Sequence, residues 1–372
     1  MIRILHILHS MNRGGAEAML MNYYRNIDRS RVQFDFLLTE QNRCQYEDEI
    51  ERMDGKVYRV PLLTFSNPFP YIKGVKKFLR EHPEYRIVHS HTSSKSAIPL
   101  WVAKGCGVPV RVCHAHSSSS GHGLEGFVRW GLGVWLKRVA TDFMSCGKGA
   151  TICWYGKEYL DKTHFVPNAV DMEKYGFEAS ARQTKRESLH LSADDCVLGM
   201  VSRFHPVKNH LFALDVLASL KARGCKAKLL FVGDGELRYA IEEKIERLNL
   251  KEDVVLTGLV CDVPNYLQAM DMVLMPSIHE GLPVSLVEAQ ANGLPIVASD
   301  GIPQEVDVTG NIVFQPLDVF VWADCLASKI AQGVERDLKA VEKVRSAGYE
   351  IKTASKCLED WYMKKVQVVS MT

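Results

Sequence analysis

From Pro276 to Asp300 the chain reads PSIHEGLPVSLVEAQANGLPIVASD, with the short apolar run Met272 to Met275 before it and a second, Leu294 to Ala298, near its end. Between the two runs the pattern predicts a helix, opened by Pro283 in its first turn and closed at Asn292-Gly293. The order is therefore strand, loop, helix, strand. Glu280 falls in the loop beyond the first strand's carboxyl end, and Glu288 is the one charge on the helical stretch PVSLVEAQA, about a turn and a half in. A carboxylate on so apolar a helix costs several kcal/mol unless a donor meets it; ligand hydroxyls would do so. The helix start adds free N–H groups and the positive end of a dipole, which attract phosphate.

The same alternation runs outward in both directions. Strands are expected at 2–8, 32–38, 56–60, 86–89, 109–113, 142–145 and 164–166, with helices at 16–26, 70–81, 94–104 and 124–138. A second set follows, with strands at 196–201, 227–232, 253–256, 272–275 and 295–298 and helices at 210–222, 236–248, 263–270 and 283–291. Alternation of this kind predicts parallel sheets covered on both faces, with ligands beyond the carboxyl ends of the strands. The fold class expected is α/β: two doubly wound Rossmann-like domains facing across a cleft. Residues 1–170 form the first domain, polar residues 171–195 a linker, and 196–350 the second domain. The tail is helical in pattern from about Val334 to Lys365. Ser117 to Ser120 reads as a loop.

At 372 residues the chain suits two ordinary domains. With 47% hydrophobic and 24% charged residues it is of globular composition, and its ten cysteines form no Cys-x-x-Cys pair, which points to a reducing compartment. The run Ile2 to Leu8 is too short for a signal peptide, and no apolar run reaches spanning length. A cytoplasmic location is expected. The net charge of +2 conceals an asymmetry: residues 1–170 carry 23 Lys+Arg against 15 Asp+Glu, a net +8, which leaves 23 against 29, a net −6, for the remainder.

Three further stretches bear on chemistry. Asn12-Arg-Gly-Gly-Ala-Glu17 follows the first strand and opens the first helix, where two glycines allow close backbone approach. Ser202-Arg203-Phe-His-Pro-Val-Lys208 follows the first strand of the second half and places two cations suited to a diphosphate past a strand end. His89-Ser-His91 and His114-Ala-His116 end the fourth and fifth strands. Histidines two apart share a strand face, but no carboxylate clusters with them in sequence and no Asp-x-Asp occurs, so no metal is expected. Val232-Gly-Asp-Gly-Glu236 has Gly-x-Gly after a strand, yet Arg238 stands where a dinucleotide fingerprint needs its third glycine, which weighs against an NAD dehydrogenase.

The stretch Pro276 to Ser299 closely resembles the glutamate-x7-glutamate signature of the retaining glycosyltransferases of family 4, which have the GT-B fold. Val166-Pro-Asn-Ala-Val-Asp171 resembles that family's Pro-Asn-Gly-Val-Asp, with Ala169 in place of the glycine. The resemblance runs in order from Gly14 to Glu288 and implies a metal-independent transferase without a cofactor, using a nucleotide-activated sugar, with a UDP-sugar first among donors. It implies Glu280, His116, Arg203 and Lys208 as catalytic. Gly14, Gly15, Gly281, Leu282, Val284 and Glu288, with Arg203 and Lys208, would hold the donor. In these roles Glu280 orients sugar hydroxyls, Glu288 takes the ribose, His116 (more readily than His114) faces the sugar, His91 lines the acceptor side, and Arg203 and Lys208 stabilise the leaving diphosphate. In this family the last helix, here 351–372, crosses back to the first domain. The acceptor implied is a glycan or a polyisoprenyl-diphosphate-linked sugar in cell-surface polysaccharide synthesis, and no nucleic acid is involved. The basic first half, with Lys73, Lys76, Lys77 and Arg80 on one helix and Trp130 and Trp135 among the cations of another, further suggests peripheral contact with an anionic membrane. The alternatives are a GT-B sugar-nucleotide epimerase and a catalytically silent nucleotide-sugar-binding protein.

Overall fold

The computed structural model describes residues 1–64, 66–116 and 123–370, so the Ser117 to Ser120 loop lies outside the described residues. The chain divides into two compact units. The first comprises 1–169 with 351–372 and the second 170–350.

The first unit holds a seven-stranded parallel sheet: β1 (Ile2–Leu8), β2 (Val32–Leu38), β3 (Val57–Arg59), β4 (Ile87–Ser90), β5 (Val110–Ala115), β6 (Asp142–Ser145) and β7 (Thr163–Phe165). Their spatial order is β3-β2-β1-β4-β5-β6-β7, so the direction of winding reverses between β1 and β4. Strand β2 is buried over all seven residues, as a parallel strand covered on both faces must be. Its buried Asp35 is answered by Arg3 at Nη2 (2.5 Å) and by the Tyr85 hydroxyl at 2.7 Å. The final helix, Ile351–Ser370, belongs to this unit and buries Ile351, Ala354, Leu358 and Tyr362 against β1, β2 and the helix Gly15–Asn26. Its buried Glu359 pairs with Arg31 and accepts the Asp28 amide at 3.2 Å.

The second unit holds six parallel strands: β8 (Cys196–Val201), β9 (Ala227–Val232), β10 (Val254–Leu256), β11 (Met272–Met275), β12 (Ile296–Ser299) and β13 (Ile312–Gln315). Their order is β10-β9-β8-β11-β12-β13, which reverses between β8 and β11. Strand β13 and the helix Val319–Gln332 complete a βα pattern that the sequence reading ended at β12. The short, partly exposed β13 carries too little apolar periodicity to announce itself.

Where a linker is expected, at 171–195, the chain instead folds into the second unit as helices Met172–Tyr175 and Ala179–Ser188. Polarity misleads there because the polar residues are structural. Buried Arg186 donates to the Ala269 carbonyl at 3.0 Å and to Asp271 at 3.2 Å, and Arg182 pairs with Asp271 at 2.6 Å.

Candidate active site

In open parallel sheets a ligand site forms beyond the strands' carboxyl ends where the winding reverses. In the second unit that point lies between β8 and β11, and the two loops leaving these strands are the ones carrying Lys208 and Glu280. They are tied together, since the Ile278 amide donates to the Val207 carbonyl at 2.8 Å. Across this tie Lys208 Nζ pairs with Glu280 Oε1, and both side chains are largely shielded. Arg203 is exposed on the same β8 loop.

The backbone around the loops is packed closely. A Cβ at Gly301 would come within 2.2 Å of the Ile278 carbonyl, so only glycine after β12 leaves room for the Glu280 loop. Gly233, at φ +146°, would bring a Cβ to 2.1 Å from the Ser202 carbonyl, and Gly235 to 2.5 Å from that of Phe204. The Gly-x-Gly after β9 therefore serves contact with the Arg203 loop. That use of both glycines explains the motif without a dinucleotide.

Helix Val284–Ala291 starts directly after this loop, with Leu282 buried and Gly281 and Val284 partly exposed. Gln290 anchors its far end by donating to the Val306 carbonyl at 2.8 Å and accepting the Val308 amide at 2.9 Å. Glu288 meets a donor that sequence reading missed: the Tyr175 hydroxyl, 2.6 Å from Oε1. Desolvation raises the Glu288 carboxyl pKa, while the Tyr175 hydrogen bond lowers it. Tyr175 lies in the stretch taken as linker, and its one sequence signal is an aromatic placed four residues after Asp171, the residue that caps its helix.

Gly14, Gly15 and His116 belong to the first unit. Gly14 caps the helix Gly15–Asn26 with extended geometry (φ −131°), and a Cβ there would lie 2.3 Å from Glu17 Oε2, whereas among the described residues nothing lies within 4 Å of one at Gly15. Gly15 thus leaves open space at a helix start, where first-turn amides have no intrahelical partner. At Ala169 no positive φ is required, which is why alanine serves where the resembled motif has glycine.

His116 follows β5 and does not stand alone. The β1–β4 register sets His6 directly beside His89, and period-two spacing adds His91, His114 and His116 on the same side. The rings stack, with centroids 4.3 Å apart for His89 and His91 and 4.1 Å for His114 and His116. His6 Nδ1 lies 2.9 Å from His91 Nε2, and His91 Nδ1 lies 2.8 Å from His116 Nε2. Burial drives all five imidazoles toward the neutral form, His6 to about 3 and His116 to about 4. His6 was missed by sequence reading, although a histidine inside the apolar run Ile2–Leu8 is itself a signal.

Comparisons with known proteins agree with this architecture. The family described as Glycosyl transferase 4-like domain matches residues 14–145, and that described as Glycosyl transferases group 1 matches residues 195–332. The protein named glycosyltransferase EpsF in Bacillus subtilis (strain 168) is 37% identical over 358 residues, covering 94% of this chain and 93% of that one. An Escherichia coli UDP-Gal:alpha-D-GlcNAc-diphosphoundecaprenol alpha-1,3-galactosyltransferase is 28% identical over 306 residues, 77% of this chain and 79% of its own. Among solved structures, Anabaena HepE in complex with UDP and glucose superposes with a TM-score of 0.81 at 19% identity, covering 98% of this chain and all of that one. The chain belongs to the group 1 and family 4-like glycosyltransferases, enzymes of the two-domain GT-B fold.

Proposed function

We propose that this glycosyltransferase moves a sugar from a UDP-sugar, with retention of anomeric configuration, onto a polyisoprenyl-diphosphate-linked acceptor during cell-surface polysaccharide synthesis. The observation that carries the reading is the Lys208–Glu280 pair held at the β8/β11 reversal, beside a helix start. There Lys208 can turn to a diphosphate while Glu280 turns to sugar hydroxyls. Arg203, Lys208 and loop amides neutralise charge as the diphosphate leaves an oxocarbenium-like sugar, each donor contributing about 3 kcal/mol by analogy with oxyanion donors. Glu288 and Tyr175 take the ribose. These cations stand where a metal would otherwise neutralise the diphosphate, so a chelator should leave turnover unchanged. The relatives support the donor and acceptor: one bears a UDP-galactose and diphosphoundecaprenol name, and HepE was solved with UDP and glucose.

Incubating the enzyme with UDP-sugars and a lipid-linked acceptor, and reading UDP release and the product's anomeric configuration, tests this. Release that needs the acceptor and an anomer matching the donor are expected. An inverted product overturns the mechanism, and sugar isomerisation without acceptor favours the epimerase.

The acceptor's location gives a second expectation. Among the described residues no helix is long and apolar enough to cross a membrane. Lys73, Lys76, Lys77 and Arg80 are exposed on helix Phe69–Glu81, as are Phe69 (74%) and, on a neighbouring helix, Trp101 (45%). Basic residues near an anionic bilayer contribute roughly 1 kcal/mol each. Co-sedimentation with anionic vesicles at low salt, and its loss at high salt, is expected for an enzyme peripheral to the cytoplasmic membrane. Equal failure on anionic and neutral vesicles would refute it.

A further inference from the structure

Beyond the sugar contacts that the family resemblance implies for His116 and His91, the histidine cluster of the first unit has the chemistry of a metal site. Five imidazoles meet where the winding reverses between β1 and β4, extended to β5, and a nitrogen from each of His91, His114 and His116 lies within 4.8 Å of the others. His114 is buried, and its Nε2 has no hydrogen-bond partner among the described residues, whereas its Nδ1 lies 3.2 Å from His89 Nε2. His91 offers Nδ1 toward His116 Nε2 and turns its Nε2 to His6. His89 in turn reaches the Tyr362 hydroxyl at 2.6 Å through Nδ1. His114 and His91 thus each present one nitrogen to the shared space and hold the other against a buried partner. That is the arrangement by which proteins orient imidazole ligands on a metal. His91 and His116 are partly exposed, so an ion can arrive from the strand ends.

We propose that His91, His114 and His116 form a binding site for a borderline divalent transition metal such as Zn2+ or Co2+, oriented by His6 and His89 from behind. Three imidazoles at metal–nitrogen distances of about 2.0–2.1 Å leave a fourth tetrahedral position open. The tetrahedral edge for such bonds, roughly 3.4 Å, falls between the 2.8 Å of the His91–His116 nitrogen pair and the 4.8 Å that bounds all three nitrogens. Neutral nitrogen donors suit zinc, cobalt, nickel and copper and reject magnesium and calcium, which demand oxygen. The ion takes no part in neutralising the diphosphate, which the second unit's cations serve. In the sequence only the two His-x-His pairs are visible; the third strand and the buried backing residues join them only in the fold.

The test uses the untagged full chain, stripped with a chelator, desalted and titrated with Co2+ at neutral pH. One equivalent should bind with the visible spectrum of a tetrahedral, nitrogen-rich site, be displaced by Zn2+ and be indifferent to Mg2+. His116→Ala, at a partly exposed position, should weaken binding at least tenfold. His6→Phe should weaken it roughly 10- to 100-fold, as loss of an orienting partner does. His82→Ala, remote from the cluster, should change nothing. Absence of stoichiometric Co2+ binding by the folded wild-type chain would overturn the proposal. So would binding undiminished in a folded His116→Ala variant, which would mark the ion as adventitious. If His114→Ala fails to fold, the His116 and His6 variants still decide.

Discussion

At the scale of single residues, the two glutamates of the loop and helix differ in what answers them. Glu280 faces a cation, Lys208, whereas Glu288 is met by a neutral phenol and sits in a desolvated place. Their neighbourhoods predict different failures. Lys208→Ala should lower kcat by about 10²- to 10³-fold, as removing a transition-state donor does. Glu288→Gln should instead raise the donor KM by roughly 10-fold, because a ribose contact is present in ground and transition states alike. A Lys208→Ala variant changed only in donor affinity, or a Glu288→Gln variant with unchanged KM and collapsed kcat, would contradict these roles. The buried histidines make a second residue-scale prediction. His6 and His210 are fully buried, and desolvation lowers them to about 3 and about 4 from an unfolded value of 6.5. Below 6.5 the unfolded chain binds protons that the folded chain refuses, so stability falls as pH drops. Each such histidine should contribute about 1.4 kcal/mol of loss per pH unit between 6.5 and its folded value. Urea unfolding at pH 7.5 and 5.5 should show the loss, and His6→Phe should reduce it.

At the scale of elements, the decisive piece is helix Val284–Ala291, which is only eight residues long and depends on its ends. Its opening at Pro283 and its stop at Asn292-Gly293 were legible because proline and glycine signals are local. The stop is demanding: Gly293 has φ +75°, and a Cβ there would lie 2.5 Å from the Asp337 carbonyl. Gly293→Ala should therefore cost at least about 1–2 kcal/mol through the left-handed backbone alone, read as a lower urea midpoint. A midpoint unchanged would show that the turn yields. The tail, expected to be helical from about Val334 to Lys365, is instead a short helix Ala340–Val344, a kink at Gly348 (φ +89°) and the helix Ile351–Ser370, and β13 was not legible because a short strand without strong alternation gives no local signal.

At the scale of the whole molecule, the last helix completes the first unit's core from the far end of the sequence, with Leu358 3% exposed and Tyr362 fully buried. Leu358→Ala should cost about 2–5 kcal/mol, the range for deleting a buried leucine, and should loosen the first unit in hydrogen exchange while the second unit's protection is unchanged. Equal loosening of both would show that the two units unfold together. The amino-acid sequence by itself determined the alternating strands and helices, the parallel sheets and the loops that carry Arg203, Lys208 and Glu280, because apolar periodicity and turn residues act over a few neighbours. It also determined the family, through the long match around Glu280 and Glu288. Only the tertiary structure decided which strands lie side by side, and with that the Lys208–Glu280 pair, Tyr175 against Glu288 and the assembly of His6, His89, His91, His114 and His116. Those partners stand 72, 113 and up to 110 residues apart in the chain. The physical reason is that sheet order is set by burial of whole faces against one another, a property no local window contains.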